Sequence, residues 1–90
     1  MISRLEIPLA GSTADLHVNL RGAKRVYVES CPNNVYVKFH DPTASTMKLK
    51  ENMIIKSSYG IKQIFLTYTG SQSDKVVFIL YDNLFIEIEV

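Results

Sequence analysis

The strongest chemical suggestion in this sequence is His40-Asp41, at the end of NNVYVKFHDP. A histidine beside a carboxylate could be a general base with its orienting partner. Adjacent residues of an extended chain point to opposite faces, however, so neighbours are badly placed to meet. Asp before Pro is also a turn former: its carboxylate accepts backbone N–H groups, and Pro42 has no donor to continue a ladder. The pair is therefore expected to be a corner where a strand stops.

The other reactive types are sparse. His17, His40 and Cys31 are the only soft or borderline metal ligands, and they lack the short C-x-x-C or H-x-x-x-H spacing of a zinc site. Nothing in their spacing supports a Cys-His nucleophile either. Glu87 and Glu89 share one face of a C-terminal strand, with no sign of a cleft to raise either pKa. No P-loop, dinucleotide fingerprint or Gly-x-Ser-x-Gly occurs. No residue set implies a metal or cofactor, and the expectation is a protein without enzymatic activity. Tyr27, Tyr36 and Tyr59 form a candidate stacking surface for a carbohydrate. Arg21, Lys24 and Arg25 read as a solvated turn; with a net charge of +1, the chain lacks the basic stripe that nucleic-acid binding requires.

The elements that would position these residues are strands. Ninety residues, 47% of them hydrophobic, can build one core, so residues 1–90 are expected to form a single domain. With one cysteine, no intrachain disulfide can form and packing must hold the fold. The N-terminal MISRLEIPLAG lacks the apolar run of a secretory signal, and no stretch approaches the ~20 apolar residues of a membrane helix. This suits a protein made in the cytoplasm and having no membrane partner.

Alternation with a period of two runs through the chain. It predicts strands over SRLEIPL (stopped by Pro8), ADLHVNL, RVYVES, NVYVKF, MKLK, MIIKS, KQIFLTYT, KVVFILY and LFIEIEV. SCPNN is expected to join RVYVES and NVYVKF as a hairpin, MKLK to lie at an edge, and Asp82-Asn83 to turn into LFIEIEV. Eight or nine short strands at this spacing predict an all-β antiparallel sandwich or a jelly-roll-like small barrel. Val76, Phe78, Leu80 and Phe85 look like an apolar second face that a 90-residue monomer would struggle to cover, so that either a second sheet or another subunit must cover it. Of the two, a homo-oligomer is the expectation, with Leu84, Phe85, Ile86 and Ile88 as its candidate interface.

The stretch NNVYVKFHDPTASTMKLKENMIIKSSYGIKQIFLTYTG resembles small all-β proteins encoded among the virion structural genes of tailed bacteriophages. The shared rhythm is an aromatic strand ending in Asp-Pro (Val35 to Phe39, then Asp41-Pro42), a Leu49-Lys50-Glu51 turn, Met53 to Ile55, Ile64 to Thr67 and the apolar Val76 to Leu80. It covers roughly residues 26–82, and the LFIEIEV ending departs from the shorter, glycine-containing endings of that group. The resemblance implies a structural or accessory virion protein, a head or tail component that contacts itself and other virion proteins. It carries over no chemical residues.

Overall fold

In a computed structural model, residues 2–82 are described. They form one antiparallel sheet of six strands: β1 (Ile2–Ala10), β2 (Thr13–Ser30), β3 (Val35–Phe39), β4 (Met47–Lys48), β5 (Ile54–Tyr68) and β6 (Ser73–Tyr81), in the order β1-β6-β2-β5-β3-β4. No helix occurs among the described residues.

The expected all-β, antiparallel character is present, but the strands are fewer and longer. ADLHVNL and RVYVES are one 18-residue strand, and MIIKS and KQIFLTYT are one 15-residue strand. The residues between these pieces are not turns but paired irregularities in a continuous ladder. Between Asn19↔Gln63 and Ala23↔Ile61 extra residues sit in β2, at Arg21 (φ 58°) and Gly22 (φ 74°). Between Ala23↔Ile61 and Arg25↔Lys56 the excess moves to β5, where Gly60 has φ 85°. Bulges bend a strand without ending it. Gly60 lies so close to β2 that a Cβ there would collide with the Gly22 carbonyl. The ninth predicted strand, LFIEIEV, lies outside the described residues.

The long strands thus run through two half-sheets. The first half of β2 pairs with the second half of β5, which continues to β3 and β4; the second half of β2 pairs with β6, which continues to β1. The expected SCPNN hairpin does not form, because β5 lies between β2 and β3. Nor does Pro8 end the first strand, which continues to Ala10 at one edge of the described sheet, where proline is tolerated. Met47–Lys48 does occupy the other edge.

One apolar cluster holds both halves: Leu9 of β1, Val26 and Val28 of β2, Val35 and Val37 of β3, Leu66 of β5 and Phe78 of β6 are all at most 1% exposed. Such burial on one face of a lone sheet requires the sheet to double over itself, and the shortest molecular dimension, 17 Å, fits two layers ~10 Å apart. Among the described residues the architecture is one folded sheet, neither a sandwich of separate sheets nor a closed barrel. Val76, Phe78 and Leu80, expected to be covered by a second sheet or a second subunit, face this core and are 0–5% exposed, so the chain's own folded sheet covers them. Phe85 lies outside the described residues.

Candidate functional site

His40 and Asp41 are divided between structural tasks. His40 sits in the left-handed region (φ 65°), its N–H donating to the Gln63 carbonyl at 3.0 Å and its own carbonyl accepting from Gln63 Nε2 at 2.7 Å. Asp41 Oδ1 accepts from both the N–H and the hydroxyl of Thr43, each at 2.8 Å. These donors, the backbone N–H first, hold the Asp41 carboxyl below the usual carboxylate range. A carboxylate spent on Thr43 orients no imidazole, and the expected corner is what the structure contains.

His17, on the outer face of β2, meets Gln63 Oε1 at 2.9 Å and tilts against Phe65 with ring centroids 5.4 Å apart. Gln63 thereby ties His17 to the His40 backbone, but the two rings serve different strands. Cys31 is half-buried, its thiol directed at the carbonyls of Pro32 (3.3 Å) and Leu49 (3.7 Å). Burial, with the nearby charges of Glu51 and Asp74, pushes the thiol up to about 11, so it is protonated at neutral pH. Among the described residues no three His, Cys, Asp or Glu side chains converge as metal ligands must.

The cations expected to form a turn belong to the bend in β2. Arg21 N–H donates to Asn19 Oδ1 at 2.8 Å, and the Arg25 guanidinium lies 5.7 Å from the centre of the Tyr81 ring. The three candidate tyrosines occupy different elements. Tyr27, partly buried, donates its hydroxyl to Asn52 Oδ1 at 2.5 Å; Tyr36, partly buried, lies on β3 opposite Lys48; Tyr59 is 97% exposed at the β5 irregularity. Leu84, Phe85, Ile86, Ile88, Glu87 and Glu89 all lie outside the described residues.

What the ladders do assemble is an apolar band on the outer face. The pairs Tyr27↔Ile54, Tyr27↔Ile79 and Arg4↔Ile79 make one cross-strand row over β5, β2, β6 and β1. The pairs Arg25↔Lys56, Arg25↔Tyr81 and Ile2↔Tyr81 make the next. Ile54 and Ile2 at its ends are 45% and 61% exposed, while Tyr27, Ile79 and Tyr81 between them are partly covered. Arg4, which pairs with Glu6 and Glu29 (Nε–Oε2 3.2 Å), borders the band with charge. The sequence signal was the second parity of KVVFILY: Val77, Ile79 and Tyr81 form an apolar outer side in addition to the core side. Without the register, nothing joined it to Tyr27 and Ile54.

The chain matches no protein-family model, no curated protein and no solved structure.

Proposed function

We propose that this chain is a non-enzymatic structural or accessory virion protein that works through self-association and contacts with other virion proteins. The observation that carries the contact part is the band of Ile54, Tyr27, Ile79, Tyr81 and Ile2. Aromatic and aliphatic side chains aligned over four strands, bordered by the Arg4 ion pairs, have the apolar-centre, polar-rim composition of a protein interface. The protonated Cys31 thiol and the committed Asp41 carboxylate favour a binding role over catalysis. The virion assignment rests on the strand-and-turn resemblance alone.

Mass spectrometry of purified particles from the source phage tests that assignment: the chain is expected at a fixed stoichiometry, and its absence overturns the reading. Light scattering tests the interface. The wild type is expected as a defined oligomer and Ile54→Asp as a folded, smaller species; a stable monomer in both removes the band from the proposal.

A second reading, a carbohydrate-binding module, is favoured by one observation, the 97% exposure of Tyr59. Binding on a glycan array that Tyr59→Ala abolishes would support it; an array without signal would end it.

A further inference from the structure

The irregularity where β2 and β5 change register builds a cleft. Between Asn19↔Gln63 and Ala23↔Ile61, β2 carries Leu20, Arg21 and Gly22 against the single Lys62 of β5. Leu20 is 1% exposed, so its side chain anchors the bulge in the core. Arg21 is held left-handed at φ 58°, its N–H donating to Asn19 Oδ1, and its side chain is exposed. A bulge can re-aim a side chain out of the strand's alternation, and a non-glycine residue kept at positive φ by its surroundings points to function. Around Arg21 lies a cleft of about 420 Å³ walled by His17, Asn19, Arg21, Gly22, Lys62 and Gln63.

The polar groups of the cleft are held in place. Gln63 Nε2 donates to the His40 carbonyl, which fixes the amide so that Oε1 faces the His17 ring. Oε1 can only accept, so His17 Nε2 carries the hydrogen of their 2.9 Å bond, and Nδ1 is the ring nitrogen left for a ligand. The two charged groups in the described walls, Arg21 and Lys62, are both cations, and they come from facing strands. A guanidinium offers a fork of donors to two oxygens of one oxyanion, and an ammonium adds a compact charge. Two positive charges match a phosphate monoester, which carries about −1.5 to −2 at pH 7 and three acceptor oxygens. A carboxylate, with one charge and two oxygens, leaves one cation unmatched. The cleft's volume also lies within the ~300–1,000 Å³ of small-molecule sites.

We propose that this cleft binds a doubly charged phosphate group, as free phosphate or as a small phosphate monoester, on Arg21 and Lys62 with His17 beside them. A single anion needs only this local pair of cations, so the site is compatible with a chain whose net charge is +1 and which has no basic stripe. The cleft shares no residue with the Ile54, Tyr27 and Ile79 band. The inference therefore goes beyond the proposed function and stands or falls apart from it.

NMR titration of the full chain with inorganic phosphate, at about pH 7.4 and constant ionic strength, tests it. The expected result is saturable shifts confined to the amides around His17, Arg21, Gly22 and Lys62, with a Kd on the order of 1 mM. Arg21→Gln and Lys62→Gln should each weaken binding at least about 5-fold, while Lys50→Gln, which removes an equal charge outside the cleft, should change it less than about 2-fold. Phenyl phosphate separates the two sources: binding at least about 5-fold tighter than that of inorganic phosphate assigns the site to a monoester, and equal binding assigns it to free phosphate. Dimethyl phosphate, a diester with one charge, is expected to bind at least about 5-fold more weakly than inorganic phosphate. Wild-type shifts that stay linear up to about 20 mM phosphate would overturn the proposal, whether or not the variants fold. So would an effect of Lys50→Gln equal to that of Arg21→Gln, or equal binding of dimethyl phosphate. None of these results bears on the Ile54 band or on presence in virions.

Discussion

At the level of single residues, the two glycines of the bend differ in what they can tolerate. Gly22 and Gly60 both adopt positive φ, which costs an L-residue about 1–2 kcal/mol. Nothing lies within 4 Å of a Cβ built on Gly22, whereas one on Gly60 meets the Gly22 backbone. Gly22→Ala should therefore cost about 1 kcal/mol, and Gly60→Ala about 3 kcal/mol or more because backbone must move. Urea midpoints of the two variants check the difference, and equal midpoints would mean that the strands do not touch there. Cys31 gives a kinetic prediction. With the thiol pushed up to about 11, alkylation by iodoacetamide at pH 7.5 should run at least about 100-fold slower than that of free cysteine and accelerate steadily toward pH 11. Asp41 gives a pH dependence. Its carboxyl is lowered in the folded state, so its contribution is present above the unfolded value of about 4 and is lost as pH falls through the lower native value. Asp41→Ala should be less stable than wild type at pH 7, with the gap closing in acid; a gap that does not vary with pH would mean that Thr43 is not its partner.

At the level of elements, alternation located nearly every strand segment, because a half-buried strand writes its two faces directly into the sequence. Where strands end was harder to read. Gly and charged residues in RGAK, and Ser-Ser-Tyr-Gly in β5, carry the composition of turns, but here they are opposed bulges that bend two paired strands together. Residue type signals positive φ, and only the partner strand decides whether the chain then reverses. Pairing was less legible still. Of the ladders among the described residues, β3 with β4 alone joins strands consecutive in sequence, so turn chemistry had almost no say in the order. Asp41 could be read because its interactions are local, with Thr43 two residues away; the His40 bonds to Gln63 and the Ile54–Tyr27–Ile79 row could not, since they need other strands in register. Phe78, fully buried in β6 between β1 and β2, probes this element directly. Phe78→Ala should cost about 3–5 kcal/mol, measured by chemical denaturation. A cost under 1 kcal/mol would place that side chain outside the core.

At the level of the whole molecule, the halves share β2 and β5, and one cluster spans both, so neither can lose its packing alone. Unfolding of the purified chain should be a single transition, with calorimetric and van't Hoff enthalpies equal; two resolved transitions would show that the bend separates independent units. The pairing of β1 with β6 also governs how the chain can be made. Ala10 must wait for Ser73, and Ile2 for Tyr81, before either has a ladder partner. At ~5–20 residues per second, translation takes roughly 3–13 s to produce the stretch between Ala10 and Ser73, longer than the milliseconds to seconds in which sheets of non-local pairing fold. Throughout that interval Ile7 and Leu9 leave the ribosome without a partner, and the fold closes only after nearly all of residues 2–82 have been synthesised.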